Sequence, residues 1–118
     1  MDERLKKALD FSNYMVTLNN QKRIIKEKFK EKNIYYFNGG QFTVNKELIT
    51  FVDMLVKRDN IEDIILIDDN ELPIQIANLE DFLSDVVDTY FTAANEYYAE
   101  YKSLIAKRSV EKLVDYEQ

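Results

Sequence analysis

From Asp2 to about Lys32, apolar residues recur at Ala8, Phe11, Met15, Leu18, Ile25 and Phe29, an alternating three-four spacing in which Lys22 fills the one missing position. This is a heptad seam, and it predicts one long helix. A lone helix of that length is marginal in water, so the seam has to pack on the rest of the chain or on a second copy. Leu5, Leu9 and Val16 widen the stripe in the first half, which predicts packing against a core there, with the narrower, lysine-rich second half projecting for association. Tyr35 to Val44 reads as a hairpin: Asn38-Gly39 supplies two positive φ angles, and the flanks are aromatic and β-branched. Asn45 then caps a short helix to about Lys57, with Leu48, Phe51, Val52, Leu55 and Val56 as its apolar face.

Ile61 to Leu66 and Leu72 to Ala77 are two further strands around the polar turn Asp68-Asp69-Asn70-Glu71. Pro73 lacks a donor and so belongs at an edge or at the start of its strand. Asn78, with Asp81 at the third helical position, starts the last helix. Its stripe of Leu79, Phe82, Leu83, Val86, Val87, Tyr90, Phe91, Ala94, Tyr97, Tyr98, Tyr101, Leu104 and Ile105 is too broad for a two-stranded coiled coil, so this helix is expected to touch both the strands and the first helix. The sequence thus predicts one α+β domain over residues 1–118, with a long helix at 1–33, two β-hairpins forming a small antiparallel sheet, a short helix between them and a long C-terminal helix.

Charge changes this picture by giving the elements opposite signs. Residues 59–100 hold twelve carboxylates and no Lys or Arg, whereas residues 1–33 carry nine bases against five acids, a net of +4. The whole chain stands at −6. Such polarity suits self-association or capture of a basic partner, and it repels nucleic acid over most of the length. The basic run Lys22 to Lys32 could grip phosphates, but it lacks interleaved aromatics, so nucleic acid is not the expected partner.

Chemistry adds little. With neither His nor Cys, the chain lacks the residues of a disulfide scaffold, a thiolate or zincin metal site, a catalytic triad or a cysteine nucleophile, and it is not expected to be an enzyme or to carry a cofactor. Asp68, Asp69, Asn70 and Glu71 lack the alternate spacing, Gly and terminal Glu of a calcium loop, and read as a solvated turn. Glu96 and Glu100, one helical turn apart, have no second Glu-x-x-His helix to complete a metal site. Gly39-Gly40 lacks the Lys and Ser/Thr of a phosphate cradle. No apolar run has the length of a signal or a membrane span, which predicts a soluble, intracellular protein with no membrane contact.

Tyr90, Phe91, Tyr97, Tyr98 and Tyr101 crowd twelve residues, more aromatic surface than one face of a small sheet covers, so at least Tyr98 or Tyr101 is expected in an interface. The seam residues Phe11, Met15, Leu18, Ile25 and Phe29 join them as interface candidates in a homo-oligomer.

The opening Met1-Asp-Glu-Arg-Leu-Lys-Lys-Ala-Leu-Asp-Phe-Ser-Asn-Tyr, the hairpin Tyr35-Tyr-Phe-Asn-Gly-Gly-Gln-Phe-Thr-Val and the stretch Asn95-Glu-Tyr-Tyr-Ala-Glu-Tyr resemble a small family of unknown function from T4-like phages of marine cyanobacteria and related hosts. More loosely, Asn38-Gly-Gly-x-Phe, a helix, Ile64-Ile-Leu-Ile-Asp-Asp-Asn and a long helix are similar to a domain of unknown function in tail-fibre-associated phage proteins. The resemblance implies a non-enzymatic structural or assembly protein, in the host cytoplasm or the virion, acting on itself or on other phage proteins. The alternative is an acidic regulator that captures a basic host or phage partner in the manner of a nucleic-acid mimic.

Overall fold

In a computed structural model, which describes residues 2–107, the chain runs α1 (Glu3–Lys32), β1 (Ile34–Phe37), β2 (Gly40–Thr43), α2 (Lys46–Lys57), β3 (Glu62–Ile67), β4 (Pro73–Asn78) and α3 (Leu79–Ile105). The α+β class and the order of elements are those the periodicities predict. The described residues divide into two compact units. One is Lys30–Ala94, and the other joins the residues up to Phe29 with those from Asn95 onward.

The unit Lys30–Ala94 is built on its turns. Asn38 (φ 51°) and Gly39 (φ 80°) take the two left-handed conformations that a two-residue hairpin loop needs, and Phe37 pairs with Gly40 to close β1 on β2. Asn45 Oδ1 accepts from the Leu48 N–H at 2.8 Å and caps α2. At the other end of α2, Asp59 (φ 61°) turns left-handed where glycine is usual, and the Asn60 N–H reaches back to the Leu55 carbonyl at 3.0 Å. Pro73 opens β4, where its missing donor costs no ladder bond. Asn78 Oδ1 accepts from the Asp81 N–H at 3.2 Å and starts α3.

The core of this unit gathers Phe42 and Val44 after the first turn, Val52 of α2, Leu66, Ile74 and Ile76 of the second hairpin, and Leu79, Phe82 and Val86 of α3. Phe82 is its hub, edge-on to the rings of Phe42 at 5.2 Å, Tyr35 at 5.7 Å and Phe37 at 5.8 Å. Gly40 has to be glycine for packing: a Cβ there would lie 2.6 Å from Ile74 Cγ1. Two details differ from the expected core. On α2, Ile49 packs inward and Phe51 is exposed. The strands of the second hairpin begin and end one residue later than predicted.

The two hairpins do not merge into one sheet. They remain separate two-stranded antiparallel ladders. In β1·β2 the alternate N–H groups of Gln41 and Thr43 point away from β1, and instead of a third strand they meet the turn after β3. Asp68 Oδ2 accepts from Gln41 N at 3.0 Å, Asp69 Oδ1 from Thr43 N at 3.1 Å, and the Asp69 N–H donates to the Gln41 carbonyl at 2.8 Å. Two carboxylates and one peptide thus cover the β2 edge that would otherwise invite another chain.

The other unit is an antiparallel helix pair. Phe29 lies against Tyr97 (ring centroids 5.0 Å apart), Lys22 against Tyr101, and the Tyr14 hydroxyl donates to the Lys107 carbonyl at 2.9 Å, so α1 numbers fall as α3 numbers rise. Its interior is thin: Leu18, Ile25 and Leu104 are buried, with Gln21 beside them on α1 and Tyr14 and Tyr97 packed against the cluster. Burial along α1 is the reverse of the expectation. Every described residue up to Ser12 is exposed, and the lysine-rich half is the part that packs.

Candidate functional site

The candidate association residues separate into two groups in the helix pair. Leu18 and Ile25 are buried within the chain, and Phe29 is half-buried against Tyr97, so these three are engaged in the fold itself. Phe11, Met15, Tyr98 and Tyr101 stand on the surface, and Leu5, Leu9, Val16 and Ile105 are exposed with them. The packed positions of α1 are Tyr14, Leu18, Gln21 and Ile25, so the seam runs one residue earlier at two places than the expected Met15 and Lys22. Tyr14 and Gln21 escape an apolar count because each carries a polar tip. Yet the Tyr14 ring packs while its hydroxyl finds the Lys107 carbonyl, and Gln21 is 1 % exposed.

This shift has a geometric result. Met15 and Lys22 each follow a packed position by one residue, as do Tyr98 and Ile105 on α3, after Tyr97 and Leu104. On an antiparallel pair such positions turn to the same side of both helices. The Lys22 ammonium lies 6.0 Å from the Tyr101 ring centroid, which places α1 and α3 side chains of this side next to one another. One side of the pair therefore presents Phe11, Met15, Tyr98, Tyr101 and Ile105, edged by the Lys22 and Lys26 stems. Tyr98 at 65 % and Phe11 at 66 % exposure are its most open members. Leu5, Leu9 and Val16 continue the apolar surface around α1.

The charged candidates are drawn into the unit Lys30–Ala94. Asp68 is the one buried carboxylate of the twelve in residues 59–100, and the turn expected to be solvated is a structural clasp. Besides Gln41 N, Asp68 accepts through Oδ1 from Asn70 N at 2.9 Å and Leu72 N at 2.8 Å. The hydrogen bonds from Gln41 and Leu72, with a smaller one from Asn70, hold its pKa below the ordinary carboxylate range against the opposing effect of desolvation. Asp69 also takes the Thr43 hydroxyl at 2.7 Å and the Gln41 amide at 3.3 Å. Asp63 accepts from Gln75 Nε2 at 3.4 Å, and Asp85 from the Tyr35 hydroxyl at 2.9 Å. Among the described residues no three His, Cys, Asp or Glu side chains are grouped to hold a metal ion, and no helix is long and apolar enough to cross a membrane. Gly39 and Gly40 serve the hairpin.

The Tyr35–Asp85 contact carries a titration signature. Burial first, then the hydrogen bond and the charge of Asp85, push the Tyr35 pKa up to about 12. The neutral phenol is the form favoured by folding, so its contribution is complete below the ordinary tyrosine pKa of about 10 and is lost as pH rises through about 12. In a spectrophotometric titration, Tyr35 is expected to ionise at a pH of about 12, and Tyr35→Phe should remove that phase. A phase there that survives in Tyr35→Phe would refute the assignment.

Comparison with protein-family models, with curated proteins and with solved structures found no match to this chain.

Proposed function

We propose that this chain is a non-enzymatic interaction protein, a structural or assembly factor of a tailed phage, that works by association through its helix pair. The observation that carries the reading is the set of eight large apolar side chains exposed on that pair, against three buried within it among the described residues. Two helices around so small an interior are marginal, and this much apolar side-chain surface left exposed on them favours a docking role. The phage setting rests on the sequence resemblance of residues 1–14, 35–44 and 95–101.

Capture of a basic partner by the acidic segment has weaker support. Asp63, Asp68, Asp69 and Asp85 already accept hydrogen bonds from their own chain, and Asp68 is out of reach of a partner.

The test is sedimentation with purified particles or assembly intermediates of a T4-like marine phage that encodes the protein. Wild type is expected to co-sediment, and a Phe11→Ser, Tyr98→Ser double variant to remain in the supernatant with its circular dichroism unchanged. Equal behaviour of the two proteins would overturn the reading.

A further inference from the structure

The second hairpin leaves the outer edge of β3 without a partner, and the spacing of its main-chain groups defines what fits there. The Asp68 N–H donates to the Leu72 carbonyl at 2.9 Å, which makes that pair the first hydrogen-bonded rung beside the turn. Rungs then alternate along the register, so Leu66–Ile74 and Ile64–Ile76 are bonded pairs, while Ile67–Pro73 and Ile65–Gln75 are not. The N–H and C=O groups of Ile65 and Ile67 therefore point away from β4. No hydrogen bond from another described residue meets them.

The other strand edges are blunted. Asp68 and Asp69 cover the edge of β2, β4 carries Pro73 and gives its Gln75 carbonyl to Asn38 Nδ2 at 3.1 Å, and β1 is only four residues long. β3 has no such device beyond the left-handed Asp63 near its start, which leaves Ile64 to Ile67 regular. That stretch holds no Lys, Gly or Pro, and its outward side chains Ile65 and Ile67 are 54 % and 63 % exposed.

We infer that β3 is a strand-addition site, which takes an extended segment of a foreign protein with β-branched or aromatic residues beside Ile65 and Ile67 and with Lys or Arg at its ends. Donors and acceptors at every second residue are matched by another extended backbone, and a third strand turns a two-stranded ladder, marginal by itself, into a sheet. Charge selects among such segments. Glu62 and Asp63 precede the edge and Asp68, Asp69 and Glu71 follow it, with no Lys or Arg anywhere in residues 59–100. A second β3 would bring acids towards acids, whereas a basic segment meets opposite charge at both ends. This surface is separate from the helix pair, and neither reading depends on the other.

The probe is a short synthetic peptide of alternating Val and Thr with Lys at both ends, added to the full chain while amide hydrogen exchange is followed. Without peptide, the Ile65 and Ile67 amides should exchange quickly and those of Ile64 and Leu66 slowly, as outward and ladder amides do. With peptide, exchange at Ile65 and Ile67 is expected to slow about tenfold once roughly nine-tenths of the protein is bound, because it then proceeds from the free tenth. Ile65→Pro should abolish the effect at Ile67, since proline there removes an outward donor and no ladder bond. Should that variant fail to fold, a peptide N-methylated on the residues that face β3 makes the same test on the unaltered chain, and it should give no protection. Unchanged exchange at Ile65 and Ile67, or protection by the N-methylated peptide, would overturn the site. Equal protection by a peptide with Glu in place of Lys would overturn the basic occupant. Protection that rises with protein concentration in the absence of peptide would assign the edge to a second copy and overturn the foreign one.

Discussion

Phe82→Ala is expected to remove about 3–5 kcal/mol of stability, the range for truncating a fully buried aromatic side chain. Phe82 is 1 % exposed and joins elements that touch through it: its ring meets Phe37 of β1, Phe42 of β2 and Tyr35 edge-on, while α3 anchors it beside Leu79 and Val86. A cavity at this point has aromatic rings on several sides, and the hairpin cannot collapse into it without giving up the pairing of Tyr35 with Phe42. Domains of this size carry about 5–15 kcal/mol in total, so the variant should sit near the edge of folding. Urea unfolding followed by tyrosine fluorescence measures it. Phe51→Ala is the control, because that ring is 48 % exposed on α2 and its loss should cost little. Equal losses in the two variants would mean that Phe82 is not the hub of this core.

The contrast between these two phenylalanines shows where sequence reasoning succeeds and where it stops. Turn chemistry was legible. Asn38-Gly39 demanded positive φ and took it, Asn45 capped α2, Asn78 capped α3, and Pro73 opened its strand, because each of these outcomes follows from local sterics or from one hydrogen bond. The inward side of α2 was harder to read, since Ile49 and Phe51 are both apolar and only the tertiary neighbours decide which is used.

The helix pair was legible in outline and misread in detail for a related reason. Binary patterning counts Met15 as apolar and discounts Tyr14 and Gln21. The structure uses the ring of Tyr14 and buries Gln21, turning Met15 and Lys22 outward. What looked like one seam became a packed seam with an apolar side next to it, and that side is the candidate site. Aromatic crowding made it legible that Tyr98 and Tyr101 would not both be covered by the chain itself, and both are exposed. Their adjacency to Lys22 was not legible, because it depends on the register of two helices separated by most of the chain.

The acidic turn was the largest departure, and it leads to the second large expected effect. Asp68-Asp69 was read as a solvated loop from composition, since a carboxylate that accepts backbone N–H groups looks the same in sequence as one that faces water. Asp68→Asn is expected to lower the thermal midpoint by several degrees at neutral pH and to loosen the two hairpins from each other. The amide can present only one oxygen. If that oxygen faces Asn70 and Leu72, the new NH₂ meets the Gln41 N–H, and if it is turned around, two backbone donors lose their acceptor.

The pH dependence tests the cause. The folded-state pKa of Asp68 is depressed, so its contribution is present above the unfolded value of about 3.9 and disappears as pH falls through the lower folded value. Wild type should therefore lose stability in that acid window, where protonation gives Asp68 a donor in place of an acceptor, and the gap between wild type and Asp68→Asn should narrow there. Thermal melts from neutral pH down through the acid range follow the gap directly. A gap that stays constant with pH would show that shape rather than charge makes Asp68 the clasp, and a variant as stable as wild type at neutral pH would return the turn to the solvated loop that its composition suggests.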